Sequence, residues 1–236
     1  MKRFLFILLA VSMTIFPFST AFANDSGGTE TQYKQLLGWG VLDAGDAPDY
    51  SGPVTRRLLL QTLCGCVYGV TAYPDQSALR NSSSHGFTFA DIADGTEDCS
   101  LAVNAALVYH MLAGRYDSDP AVRYADLDQT VTCEEALIFV TRLLDWYTGG
   151  AGELARLHRP GLPPQHWTVA NHLGIINGDS YYKSVYSVMT ADMAEQPLQF
   201  GQLVSMIHTL LLTELTVNDY GTERRAFLLG EVVSRR

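Results

Sequence analysis

The chain has 236 residues, 47% of them hydrophobic, and a formal net charge of −9. That length allows one or two buried cores, and the acidic balance repels phosphate backbones, which excludes nucleic acid as a partner. Beyond the N-terminal segment no apolar run approaches the roughly 20 residues of a spanning helix, so no membrane contact is expected once that segment is removed.

The N-terminus opens on Met1-Lys2-Arg3, runs apolar from Phe4 to Phe18 and closes on Ala21-Phe22-Ala23. A basic start, a short apolar run and small residues around one large one form the layout of a cleaved secretory signal. Residues 1–23 are therefore expected to be removed, leaving a secreted chain that starts at Asn24.

Three stretches then repeat one pattern. In the first, Thr29 to Trp39 is apolar at helical spacing and ends before Gly40, where a left-handed turn closes the helix. A second helix opens at Thr55, whose hydroxyl is placed to cap it. The next copy runs from Ser100 to Ala113, stops at Gly114, and resumes after Thr132, with Glu135 three residues on to complete a capping box. In the third, His166 to Leu173 precedes Gly174, and the second helix follows Gln199.

The apolar positions of the second helices align in columns: Leu59, Ala136 and Leu203; Leu60, Leu137 and Val204; Leu63, Val140 and Ile207; Val67, Leu144 and Leu211. Steps of one, three and four residues are the stripe of a helix that buries one face. Repeats are accordingly expected at 24–72, 86–147 and 160–216. The connections between them, Thr71 to His85 and Thr148 to Gln165, are rich in turn formers. Residues 217–236 are expected to be a tail or one more helix, with Thr222 to Val233 amphipathic.

Export permits disulfides, and four cysteines allow three complete pairings. Cys66 falls in a column with Leu143 and Leu210 and is expected in the core. Cys64 shares a column with Thr141 and His208 and is expected to be less buried. A Cys99–Cys133 bridge within the second unit is one option among several. Zinc is disfavoured because Cys64 and Cys66 are only two apart, with no CxxC or HxxxH beside them.

The pieces Val54-Thr55-Arg56, Phe89-Ala90-Asp91-Ile92, Val131-Thr132-Cys133-Glu134-Glu135-Ala136 and Leu173-Gly174-Ile175-Ile176-Asn177-Gly178 resemble, in order and spacing, the repeats of the S-layer homology family. The resemblance spans almost the whole chain after the signal. It implies an all-α module of three helix-pair repeats in pseudo-threefold arrangement, with long connecting loops. It also implies a non-catalytic protein that binds secondary cell-wall polysaccharide in grooves between repeats and associates with the cell envelope.

Carried over to this chain, the ligand residues implied are Thr55, Arg56, Trp39 and Gly178, against the competing readings that Arg56 is merely solvated and that Trp39, near the apolar face of its helix, packs in the core. A guanidinium at a helix start forks onto a carboxylate, and backbone N–H groups beside it add donors. The arginine column reads Arg56, Cys133 and Phe200, so only the first copy keeps the cation, and Gly201 stands where a helix former is expected. That departure favours an alternative: a degenerate scaffold that keeps the fold, binds an envelope protein and takes no sugar.

No catalytic signature accompanies the repeats. His85, His110, His158, His166, His172 and His208 form no motif, and His166 and His172 are six apart, on different faces of a helix. GxSxG, HExxH and phosphate-binding loops are missing from the sequence, so neither an enzyme nor a cofactor or metal is expected.

Overall fold

The computed structural model describes residues 26–43, 49–68, 88–108, 110–116, 119, 121–149, 166–177 and 185–230. The signal segment 1–23, most of both linkers and Gly178 lie outside the described residues. The helices are α1 (Ser26–Gly38), α2 (Arg56–Tyr68), α3 (Glu97–Val103), α4 (Cys133–Thr148), α5 (His166–His172) and α6 (Phe200–Leu212). The strands are β1 (Thr88–Phe89), β2 (Arg115–Tyr116), β3 (Val122–Tyr124), β4 (Glu214–Asp219) and β5 (Thr222–Phe227).

The fold is therefore mixed and not all-α: β1 and β2 flank β3, and β4 pairs with β5. Where a helix is expected over Thr222 to Val233, Thr222–Phe227 is instead the second arm of a hairpin, and residues 231–233 lie outside the described residues. Leu215, Val217 and Ala226 are buried at period two, and Tyr220 and Gly221, both at positive φ, make the tight turn that hairpins favour. The second unit also departs from a plain helix before its glycine. α3 stops at Val103, a π-turn occupies Asn104–Val108, and Gly114 is left-handed within a non-helical approach to β2.

What joins the units is a set of closed hydrogen-bond cycles around a central axis. Val54 N–H donates to Leu198 O (2.9 Å), Leu198 N–H to Val131 O (2.9 Å), and Val131 N–H to Val54 O (3.0 Å). One step outward, Arg56, Cys133 and Phe200 donate to Gln129, Gln196 and Gly52; beyond them Arg57, Glu134 and Gly201 donate to Leu127, Ala194 and Tyr50. Each first-turn N–H of a second helix, an orphan by helix geometry, thus finds its acceptor in the segment before the neighbouring second helix.

The second helices present their columns to the core around this axis. Leu59, Ala136, Leu203, Leu60, Leu137, Val204, Leu63 and Ile207 are all fully buried. Each buried leucine contributes about 1.5–3 kcal/mol. Thr55 Oγ1 accepts from Leu58 N–H (3.3 Å) and Thr132 Oγ1 from Glu135 N–H (3.2 Å). In the third copy the Gln202 side chain accepts from Gln199 N–H (2.9 Å).

The first helices pack across unit boundaries. α1 lies on α6 and α5 on α4, while Arg57 of α2 reaches Asp98 at the start of α3. Gly40 and Gly174, both left-handed, close α1 and α5, and Val41 and Ile175 N–H donate back to Leu36 and Ala170. Between α1 and α6, His208 is fully buried. Its Nε2 pairs with Gln35 Oε1 at 2.6 Å, the Trp39 ring stacks on it at 5.3 Å, and burial holds its pKa down at about 4.

Cys64 is as fully buried as Cys66, which corrects the expectation of a more accessible position. Its whole column is interior, since Thr141 and His208 are buried too. Cys99 and Cys133 are separate buried thiols and form no bridge in the structure.

Candidate functional site

The three helix-start positions that align as Arg56, Cys133 and Phe200 sit in equivalent places around the axis and have three different fates. Arg56, whose side chain is only 11% exposed, donates from Nε and Nη2 to Glu135 Oε1 (3.0 and 2.5 Å). Its Nη1 donates to Ala125 O at 2.8 Å and lies 3.7 Å from Asp126 Oδ2. The Glu135 carboxylate, expected to close a capping box, is committed to Arg56 instead.

The loop that receives Arg56 is held from behind. Asp91 accepts N–H bonds from Ala125 (2.9 Å) and Asp126 (2.7 Å), fixing Asp126 at φ +50°. The Phe89-x-Asp91 element therefore acts structurally: Phe89 is buried against Gly114 and Asp91 positions the carbonyls that Arg56 uses. Asp126 in turn takes Arg115 through Nε (2.9 Å) and Nη2 (3.1 Å), and the Arg115 guanidinium lies 4.6 Å over the Tyr124 ring.

Between these pairs opens a groove of about 250 Å³, bounded by Leu112 to Arg115 on one side and by Arg56, Glu135, Ile138, Phe139 and Arg142 on the other. Three guanidinium groups face one carboxylate in its lining, in a protein whose overall charge is −9. Arg142, partly buried on α4, donates from Nη1 to Met111 O at 2.7 Å, and burial pulls its pKa below the usual arginine value. The π-turn after α3 brings Met111 to that position, with Met111 and Leu112 N–H both donating to Ala105 O.

At the second position Cys133 is buried, with Sγ 3.8 Å from Gln202 Oε1, and burial pushes its thiol pKa up. At the third, Phe200 stacks on Tyr50 (6.3 Å) and meets Tyr33 edge-on (5.9 Å). Tyr186 covers Gly201 so closely that a Cβ there would sit 2.5 Å from its ring. The glycine at this helix start is the room that Tyr186 requires, and aromatic side chains of the chain itself fill the place that the first copy leaves as a groove.

Of the residues singled out from sequence, Arg56 lines the groove, Thr55 caps α2 beside it, and Trp39 is elsewhere, packed on His208. Arg115, Asp126 and Arg142 were not found by sequence reasoning. The signal for Arg142 was present: a cation lies between core positions Thr141 and Leu143, in a column otherwise holding Gly65 and Thr209. Among the described residues no three His, Cys, Asp or Glu side chains group to hold a metal, and no helix is long and apolar enough to cross a membrane.

No protein-family model and no curated protein matches this chain.

Proposed function

We propose that the protein is an exported, non-catalytic binding module, similar to S-layer homology proteins, that associates with the cell envelope by holding secondary cell-wall polysaccharide. The observation that carries this reading is the groove at the first helix-start position, cationic in an acidic protein, built by the second unit with Arg56 of the first at its wall. Its polar lining consists of guanidinium groups and one ion-paired carboxylate, which suits holding an acidic group and not transferring protons.

A second reading has its own support. Arg56, the cation that the resemblance would aim at a ligand, is satisfied internally by Glu135, and the third position is packed with aromatics. A scaffold that keeps the fold and binds an envelope protein is consistent with both.

The discriminating experiment incubates the chain from Asn24 onward with purified wall polysaccharide and, in parallel, with envelope extract from its own source. Pelleting with polysaccharide supports the first reading. Failure to pellet, with capture of one defined envelope protein, replaces it by the second.

A further inference from the structure

The charges that meet at the groove pair off, with one left over. Arg56 is matched by Glu135, and Arg115 is matched bidentately by Asp126. Arg142 lines the same groove with one carbonyl, Met111 O, as its acceptor, and among the described residues no carboxylate pairs with it. A partly buried guanidinium with five N–H donors and a single peptide acceptor is underused, since buried charge is ordinarily paired.

Burial pulls its pKa below the usual arginine value. The remaining walls are apolar: Leu112, Ile138 and Phe139. At about 250 Å³ the groove is smaller than the roughly 300–1,000 Å³ of drug-sized sites, room for about one sugar ring with a substituent.

We infer that Arg142, and not Arg56, is the anchor for the ligand, and that it takes a single anionic group, carboxylate or phosphate, carried on one hexose unit lying against Leu112 and Phe139. Arg115, half-exposed at the rim and held by Asp126, supplies the second positive charge. Arg56 keeps the groove's floor in place. This rests on the groove being the binding site proposed above, and it moves the specificity to a residue outside the repeat motif.

The test titrates the chain from Asn24 onward with glucuronic acid, glucose 6-phosphate and glucose, followed by ligand-observed NMR. Wild type, Arg142→Gln and Arg142→Lys are compared, with thermal unfolding checking that each is folded. The expected result is that one or both anionic sugars bind more tightly than glucose, and that Arg142→Gln weakens them about tenfold or more while leaving glucose unchanged, as loss of a charge-assisted hydrogen bond requires. Arg142→Lys, which keeps the charge and loses the fork, recovers part of the affinity.

Preference for glucuronic acid names a carboxylate, and preference for glucose 6-phosphate a phosphate. Anionic sugars that bind wild type and folded Arg142→Gln equally, or no better than glucose, overturn this inference and leave the groove standing. Failure of wild type to bind any of the three, together with failure to pellet with wall polysaccharide, removes the groove as well.

Discussion

Acidification should destabilise this protein in part through His208. Its ring is fully buried between α1 and α6, against Trp39 and Gln35, and its folded-state pKa is about 4 against 6.5 for a free side chain. The unfolded chain binds a proton as pH falls through about 6.5, while the folded chain refuses it until about 4. Folded stability is therefore lost progressively across that window and the loss is complete below it. Each step of one in pH across the window removes about 1.4 kcal/mol, so the full penalty is about 3 kcal/mol. Urea unfolding at pH 7, 5.5 and 4.5 measures it, with His208→Gln as the comparison, because the variant keeps a polar group near Gln35 and cannot titrate. Carboxylates titrate alike in both, so the difference between the two stability curves isolates the histidine. Parallel curves between pH 7 and 4.5 would refute the reasoning.

Gly201→Ala should destabilise by about 1–3 kcal/mol despite alanine's better helix propensity, because the new Cβ meets the Tyr186 ring; thermal unfolding of the Gly201→Ala, Tyr186→Ala double variant should show the alanine at 201 no longer harmful. Glu135→Ala strands Arg56 with two carbonyls and a distant Asp126, and denaturant unfolding should register a loss of about 2–4 kcal/mol. Thiol reagent should label no cysteine at pH 8 in the native state and all four on unfolding, since burial raises the Cys64 thiol to about 12 and Cys99 and Cys133 form no bridge; finding two unlabelled cysteines in the unfolded, unreduced chain would contradict this.

The parts of the fold legible in the sequence were those set by local chemistry. Helix stripes, the caps at Thr55 and Thr132 and the left-handed glycines at 40 and 174 depend on neighbours within a few residues, and α1, α2, α4, α5 and α6 lie where those signals place them. The β4–β5 hairpin was missed because Thr222 to Val233 also satisfies a helical stripe, and only pairing with Glu214 to Asp219 decides between the two periods. The strands around Arg115 and Arg123 are two or three residues long, too short to leave a period.

The site was legible only in part, for a related reason. Arg56 could be picked from its position in the repeat, but its pairing spans the distance to Glu135 in the next unit, and a capping box explained Glu135 locally. Gly201 read as a weakened helix start until Tyr186 supplied its reason. Arg142 and Arg115 line one groove although they lie on α4 and β2, a long-range meeting that no local pattern announces.

Binding at the groove is tested most directly by a two-dimensional NMR titration of the labelled chain from Asn24 onward with wall polysaccharide from its own source. Shifts should concentrate at Leu112 to Arg115 and at Glu135 to Arg142, with the aromatic cluster around Phe200 and the β4–β5 hairpin unmoved. Shifts centred on the cluster or the hairpin, or no shifts at saturating polysaccharide, would contradict a groove that holds the wall.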